Sequence, residues 1–224
     1  MTEAGSHHYT RPDDRPELIA NTSGRACAGY EVRIFSEQDR DVELPHGEVG
    51  LVAGRGAGLM LGYFDDQAAT EESFNRDGWF LTGDLGSLDG AGNLTITGRK
   101  KDVVIRGGHN IFPAKIEALA LGHEAVDKVA AVPVADERLG ERVCLAVTLK
   151  PGATLEPSAL LDHLAAAGLS RYDMPEYYLP LDALPLMPSG KIWKRRLVEW
   201  LESGQVTPVP VRFVPGPPGG GEAR

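Results

Sequence analysis

Gly98-Arg-Lys-Lys-Asp102 is the stretch at which this sequence changes character. Before it, residues 29 to 98 consist of short β-type runs separated by turn-forming residues. After it, helical and strand patterns alternate along the chain. The boundary therefore falls within residues 99 to 102. The sequence predicts a mixed α/β fold of the α+β kind, with a β-rich first region and an α+β second region.

Three strand-like runs and one turn define the β-rich region. Tyr30-Glu-Val-Arg-Ile-Phe35 alternates apolar and polar residues, and Val49-Gly-Leu-Val-Ala53 is apolar throughout. Asp89-Gly-Ala-Gly-Asn93 has the composition of a hairpin turn and precedes the strand-like run Leu94-Thr-Ile-Thr97. These features predict part of a small β-barrel or an open sheet.

Proline and glycine mark the ends of two helices in the second region. Pro113 suits the first helical position, where its missing N–H costs nothing, and Gly122 suits the end of that helix. A second helix is predicted for residues 157 to 167, closed by Gly168. Three runs are predicted as strands: Val103–Ile105, Val126–Val134 and Arg142–Leu149.

Two further patterns predict how this region packs. In the last predicted strand, one face carries four apolar side chains: Val143, Leu145, Val147 and Leu149. A closing helix is predicted to pack Leu197 and Trp200 inward, with the run Lys194-Arg-Arg196 on its solvated face.

Composition excludes several classes of protein. The formal net charge of −9 over 224 residues argues against general affinity for nucleic acid or anionic membranes, while leaving room for a local basic site. No segment approaches the ~20 apolar residues that span a bilayer. Cys27 and Cys144 are far apart, and no apolar export signal is present near the N-terminus. The sequence therefore predicts a cytoplasmic protein with two reduced thiols.

Five features carry candidate chemistry, and each has a plain structural interpretation beside it. Asp84, in Thr-Gly-Asp at a predicted strand–turn junction, could accept two ribose hydroxyl hydrogen bonds or merely form a turn. Residues 99 to 101 could bind a ligand or form a solvated basic patch. Gly107-Gly108 could admit a ligand close to the backbone or form a hairpin turn. His109 suits a hydrogen-bonding role better than that of a base. Lys191, in a Pro/Ser-rich loop, could be catalytic or solvated.

Taken in order, four motifs resemble those of the adenylate-forming superfamily, which includes acyl-CoA synthetases and adenylation domains. Thr2-Glu3 resembles the end of an aromatic-Gly-x-Thr-Glu motif. Gly78-Trp-Phe-Leu-Thr-Gly-Asp84 resembles the ribose-binding motif, and residues 98 to 117 resemble the hinge and the first part of the lid. Pro185-Leu-Met-Pro-Ser-Gly-Lys191 resembles the catalytic-lysine motif. The resemblance covers residues 1 to about 200, and a weaker one points to cyclohexanecarboxylate–CoA ligases.

The resemblance implies roles in forming an acyl-adenylate from ATP and a carboxylic acid. Lys191 would be the catalytic residue, bridging the carboxylate and the α-phosphate. Asp84 and Arg99 would hold the ribose of ATP or AMP, and Thr2 would touch the α-phosphate. Glu3 would help to hold Mg²⁺, an ion that prefers oxygen ligands.

It also implies how the second half-reaction is served. Lys101 would be the hinge of a lid. Rotation of this lid would withdraw Lys191 from the active site and bring a second loop to it. Gly107 and Gly108 would then line the channel for the pantetheine arm of CoA. His109 and Lys115 depart from the family pattern, in which many members carry glutamate at both positions.

The same resemblance predicts the domain boundaries and the extent of the chain. Residues 1–98 would be the C-terminal remnant of the large AMP-binding domain, 99–102 the hinge, 103–212 the lid domain and 213–224 a disordered tail. The phosphate loop and most of the acyl pocket would lie in a missing N-terminal half, so the chain alone would be inactive. The alternative is a non-catalytic lid that binds CoA, or one subunit of a split adenylating enzyme.

Overall fold

The computed structural model describes residues 1–214. The chain divides into two compact units, of which the first ends at Lys101 and the second begins at Asp102. This division falls within the Gly98–Asp102 stretch at which the sequence changes character. Of the predicted disordered tail, residues 213–224, the part from 215 onward lies outside the described residues, whereas Phe213 packs against the core of the second unit. Among those residues, no helix combines the length and apolar character needed to cross a membrane.

The first unit is built mainly from antiparallel strands. Its elements, in chain order, are β1 (His8–Tyr9), α1 (Pro16–Asn21), β2 (Arg25–Ala26), β3 (Tyr30–Phe35), β4 (Gly50–Gly56), α2 (Gln67–Glu72), β5 (Phe80–Leu88) and β6 (Leu94–Arg99). Strands β3 to β6 form a four-stranded antiparallel meander, and β1 pairs with β2. Of the two predicted alternatives, an open sheet therefore describes this meander.

A stacked tryptophan covers one part of this sheet. Trp79 is only 3% exposed. The guanidinium groups of Arg33 and Arg55 lie 4.7 and 4.4 Å from its ring centroid, and Phe35 packs against it at 5.9 Å. Each arginine also contacts Glu31. The guanidinium groups therefore cover the aromatic ring while remaining partly exposed to water.

The second unit combines one sheet with three helices. A short 3₁₀ turn, Lys100–Asp102, leads into it. Its elements are β7 (Val104–Arg106), β8 (His109–Ile111), α3 (Pro113–Leu121), β9 (Val126–Asp136), β10 (Gly140–Leu149), α4 (Pro157–Ala166), β11 (Tyr177–Pro180), α5 (Lys194–Glu202) and β12 (Val209–Pro210). Strand β10 lies at the centre, antiparallel to β9 and β7 and parallel to β11. The predicted α+β fold is confirmed.

The β9–β10 hairpin is buried on both faces. Val143, Leu145 and Val147 belong to an apolar cluster that also contains residues of α3 and α4. The alternate residues Cys144 and Ala146 belong to a second cluster with Leu197 of α5. The predicted apolar face is confirmed, but the sequence pattern described only half of the strand's packing. Burial also raises the pKa of the Cys144 thiol to about 12.

One prediction for the closing helix is wrong. Leu197 is fully buried and Trp200 packs against the same cluster, as expected. Lys194, however, does not lie on a solvated face, since its side chain is only 24% exposed. Its Nζ lies 2.7 Å from Glu117 Oε1 and 3.6 Å from Asp102 Oδ2. A lysine with two carboxylate partners anchors the start of α5 to α3 and to the beginning of the unit.

A matched pair of leucine truncations tests the position of this core. Leu164 on α4 is fully buried, whereas Leu121 at the end of α3 is 52% exposed. We expect Leu164→Ala to lower the free energy of unfolding of the second unit by about 2–5 kcal/mol, because it leaves a cavity. Leu121→Ala should change it by less than about 0.5 kcal/mol. Urea unfolding of both variants provides the measurement, and equal costs would contradict the packing described.

Candidate active site

The carboxylate of Asp84 is presented by a bulge inside a strand. Leu51 pairs with Leu85 and Ala53 with Leu81, so Thr82, Gly83 and Asp84 lie opposite Val52 alone. Gly83 has a φ of +76°, and the Thr82 hydroxyl donates to the Val52 carbonyl at 2.9 Å. The predicted strand–turn junction is therefore wrong, because this segment lies within the nine residues of β5. A bulge bends the strand and re-aims a side chain without ending the pairing.

The pairing of β5 with β6 brings together the two residues assigned to the ribose. Asp84 and Arg99 are register partners on β5 and β6. The Nε of Arg99 donates to Asp84 Oδ1 at 2.9 Å. The Arg99 side chain is 62% exposed and that of Asp84 is 27% exposed, so both can reach a ligand. The ion pair orients the carboxylate and leaves its second oxygen available to accept hydrogen bonds from hydroxyl groups.

Thr2 and Glu3 lie in the same unit as this pair. The Glu3 carbonyl accepts a hydrogen bond from the Met60 amide at 2.7 Å, which holds its backbone in place. Its carboxylate lies 3.4 Å from the hydroxyl of Tyr63, a long contact that leaves oxygen atoms free. Thr2 is exposed. No cluster of three possible protein ligands for a metal occurs in residues 1–214. A single carboxylate suits Mg²⁺ when substrate phosphates supply further oxygen ligands, which is how this ion often binds.

Two consecutive histidines at the start of the first unit have their rings in contact. Nδ1 of His7 is 2.8 Å from Nδ1 of His8, and their ring centroids are 4.5 Å apart. The two rings can meet because His7 precedes the regular pairing of β1, which begins at His8. Burial lowers the pKa of His7 below 6.5. Burial, aided by His7, lowers the pKa of His8 to about 4.

The two glycines assigned to the pantetheine channel form the tip of a hairpin. Gly107 and Gly108 connect β7 to β8 with φ values of +58° and +83°. Positive φ at both central residues is the geometry of a type I′ turn, which glycine adopts without strain. Both residues are exposed. His109 follows, and its Nε2 lies 2.8 Å from Asp173 Oδ1. It is therefore a hydrogen-bonding histidine, as the sequence favoured.

Lys191 projects from a loop whose backbone is fixed. The Lys191 carbonyl accepts from the Met187 amide at 2.8 Å, and the Gly190 amide donates to the Met187 carbonyl at 2.8 Å. Gly190 has a φ of +82°, and the Trp193 amide closes the loop on the Pro185 carbonyl. Lys191 is exposed and, within the described part of the chain, forms no ion pair. The loop holds a free ammonium group ready for an anionic ligand.

Known proteins resemble this chain in both sequence and structure. Residues 115–191 match the family model of the AMP-binding enzyme C-terminal domain. Together with the relatives below, this match decides the family. The chain belongs to the adenylate-forming enzymes. It corresponds to the C-terminal part of their CoA ligases.

Two relatives and one solved structure represent the similarity to adenylate-forming enzymes. The chain is 36% identical over 194 residues to the medium-chain fatty-acid–CoA ligase of Escherichia coli (strain K12), covering 86% of this chain and 34% of the relative. It is 40% identical over 194 residues to a salicylyl-CoA synthase/salicylate adenylyltransferase of Streptomyces sp, covering 86% and 35%. ATP-bound MatB from Rhodopseudomonas palustris superposes with a TM-score of 0.81 at 32% identity, covering 89% of this chain and 39% of MatB. The chain thus spans about a third of the length of the relatives it matches.

The lowered histidine pKa values predict that the first unit is sensitive to acid. Above pH 6.5, both imidazoles are neutral in the folded and unfolded states. Between pH 6.5 and about 4, His8 binds a proton in the unfolded chain but not in the folded chain. The free energy of unfolding therefore falls as the pH falls. Urea unfolding across this range measures the slope.

Two substitutions separate this effect from general acid sensitivity. His8→Gln removes the half-buried ring whose pKa is lowered to about 4 and should reduce the slope, leaving the contribution of His7. His46→Gln removes an exposed histidine of the same unit and should leave the slope unchanged. An undiminished slope in the His8 variant would contradict the assignment.

Proposed function

We propose that this chain supplies the C-terminal portion of an AMP-forming carboxylate–CoA ligase. In the overall reaction, ATP and a carboxylic acid give an acyl-adenylate and pyrophosphate, and the thiol of CoA then displaces AMP to give acyl-CoA. The observation that carries the proposal is the exposed Lys191 on its hydrogen-bonded loop, at the end of a matched AMP-binding enzyme C-terminal domain.

Lys191 is proposed as the catalytic residue of the first half-reaction. When a carboxylate attacks the α-phosphate, negative charge is concentrated on the oxygens between the two groups. A compact ammonium on a flexible stem stabilises that charge wherever the oxygens meet. Lys191 fits this role, since its ammonium group forms no ion pair within residues 1–214 and its backbone is held by hydrogen bonds of the loop.

The first unit is proposed to hold the nucleotide. Asp84, oriented by Arg99, would accept hydrogen bonds from the ribose hydroxyls of ATP or AMP. Thr2 would donate to the α-phosphate, and Glu3 would contribute one oxygen ligand to Mg²⁺. The bound ion would neutralise phosphate charge, while the chain's own groups set the position of the nucleotide.

The remaining residues are proposed to serve thioester formation. Lys101 is the last residue of the first unit and would absorb the backbone rotation between the two half-reactions. Gly107 and Gly108 would admit the pantetheine arm close to the backbone, because they carry no side chain. This assignment keeps residues 1–98 as the remnant of the large domain, 99–102 as the hinge and 103–212 as the lid.

A chimera tests the division of labour between the two loops. The corresponding C-terminal part of Rhodopseudomonas palustris MatB would be replaced by this chain, and each half-reaction assayed separately. Lys191→Ala should slow acid-dependent pyrophosphate release by about 100-fold or more, because it removes the stabilising charge. It should spare acyl-CoA formation from supplied acyl-adenylate. Gly108→Ala should slow acyl-CoA formation from supplied acyl-adenylate by roughly tenfold and spare pyrophosphate release, because its φ of +83° disfavours a side chain.

The loop after β10 offers matched controls for both substitutions. Lys150 is exposed, and Gly152 has a φ of +77° with open space where a side chain would begin. Lys150→Ala and Gly152→Ala should therefore leave both half-reactions unchanged. If Lys191→Ala impaired both steps equally, or neither, its assignment to adenylation would be wrong.

The alternative function is a non-catalytic CoA-binding lid or one subunit of a split enzyme. Residues 1–224 contain no Ser/Thr/Gly-rich phosphate loop followed by lysine, so adenylation is not expected from these residues by themselves. We expect the purified chain to form no acyl-CoA with ATP, CoA and a panel of acids that includes cyclohexanecarboxylate. A separately purified N-terminal part of MatB is then added. Acyl-CoA formation by the mixture would indicate a subunit, and none would indicate a binding module. Thioester formation by the chain alone, lost in Lys191→Ala, would overturn this expectation.

A further inference from the structure

Lys194 is the first residue of α5, the helix that follows the Lys191 loop, and none of the roles above uses it. Its Nζ lies between two carboxylates, 2.7 Å from Glu117 Oε1 and 3.6 Å from Asp102 Oδ2. The three side chains are between 19% and 35% exposed, so solvent and salt screen their attraction less than on an open surface. One ammonium group therefore joins three segments that are distant in the sequence.

The two carboxylates link Lys194 to the sheet and to the hinge turn. Glu117 Oε1 also accepts a hydrogen bond from the Ala131 amide at 2.8 Å, which ties α3 to β9. Asp102 is the last residue of the 3₁₀ turn and directly follows Lys101, the proposed hinge. The ammonium group thus connects the hinge turn to the central strand pair of the unit.

The start of α5 depends on this network because the helix lacks the usual features of an N-terminus. Its N-cap residue, Trp193, makes no side-chain capping hydrogen bond, and the first turn carries the three cations of Lys194–Arg196. Positive charge at an N-terminus opposes the helix dipole, whereas negative charge there is favourable. Asp102 and Glu117 supply that negative charge, so the first turn is held from outside the helix.

The Lys191 loop ends on this first turn. The Trp193 amide donates to the Pro185 carbonyl at 2.8 Å and so closes the loop. Trp193 is also the residue directly before Lys194. A shift at the start of α5 is therefore passed to the backbone that carries Lys191.

The glycine turn is held by contacts that do not involve Lys194. The Gly107 amide donates to the Leu139 carbonyl at 2.8 Å, and the flanking Arg106 is paired with Glu176. Those contacts use the β9–β10 turn and the loop before β11, whereas the Lys194 network uses α3 and the hinge turn. The network is therefore placed to affect one of the two loops and not the other.

We propose that Lys194 is a positioning residue that couples the hinge turn to the Lys191 loop, so that the catalytic ammonium group follows the hinge as part of one rigid piece. This inference rests on the proposed ligase function, in which Lys191 serves adenylation and Lys101 is the hinge. Lys194 acts through the backbone of the loop and contacts no substrate. Loss of its charge leaves Asp102 and Glu117 without this cationic partner and frees the start of α5.

Hydrogen exchange of the purified 224-residue chain tests the coupling without requiring activity. Lys194→Met keeps an apolar stem and removes the charge, and Asp102→Asn removes the charge of one partner. Each should raise the exchange rates of the Gly190 and Trp193 amides by about tenfold or more, because the hydrogen bonds of these amides lie within the loop. The Gly107 amide should exchange at an unchanged rate.

Two further variants control this experiment. Lys194→Arg keeps the positive charge and should keep the exchange of the loop close to that of the unaltered chain. Lys128→Met removes the lysine of an exposed ion pair in the same unit and should leave the loop unchanged. Thermal unfolding verifies that the variants fold, and Asp102→Asn still tests the coupling if Lys194→Met does not. Unchanged loop exchange in either folded variant would overturn the proposal, as would an equal rise at Gly107, which indicates general loosening.

The chimera with MatB tests the consequence for the reaction. Lys194→Met should slow acid-dependent pyrophosphate release roughly tenfold at saturating ATP and leave the KM for ATP unchanged, because a misplaced charge lowers the rate without removing a substrate contact. Acyl-CoA formation from supplied acyl-adenylate should persist, and Lys194→Arg should retain both steps. Impairment by Lys191→Ala but not by Lys194→Met would overturn this inference alone. No impairment by Lys191→Ala would instead overturn the ligase assignment, while the exchange experiment still decides the coupling.

Discussion

The pairing of β9 with β10 is the constraint on which the second unit depends. Both strands bury side chains on both faces, so a shift of one residue would exchange the two apolar clusters. Small residues such as Ala130 and Ala146, which pair with each other, let α5 approach one face closely. Helices α3 and α4 cover the other face. The same register fixes the turn at Leu139, to which the Gly107–Gly108 turn is hydrogen-bonded, and it supports the helix that follows the Lys191 loop.

The first unit uses a local irregularity in its ladder for a similar purpose. Three residues of β5 lie opposite Val52, and the last of them, Asp84, pairs with Arg99 on β6 and accepts its hydrogen bond. The bulge requires a residue that tolerates positive φ, which Gly83 supplies, and a local hydrogen-bond partner, which Thr82 supplies. Here the candidate nucleotide site depends on backbone geometry as much as on the charged side chains.

Sequence patterns predicted elements well where the cause is local. Pro113 and Gly122 bound α3, and the Asp89–Asn93 turn joins β5 to β6 because its side-chain and backbone preferences act over a few residues. They failed where a distant partner decides the outcome. Lys194 looked solvated because its partners, Asp102 and Glu117, lie more than seventy residues earlier in the chain. Its spacing gave no signal of them.

The sequence by itself determined the order of the motifs, the turns that glycine permits, the helix ends and the family. Each of these depends on residue type over a short stretch, so it can be read without knowing the fold. Only the tertiary structure decided that Asp84 meets Arg99 and that the two histidines share a contact. It also placed Arg138, Arg171 and Arg212, from separate loops, around one cavity of the second unit. Those outcomes depend on strand register and on packing between segments far apart in the chain, and no local pattern encodes the distances between them.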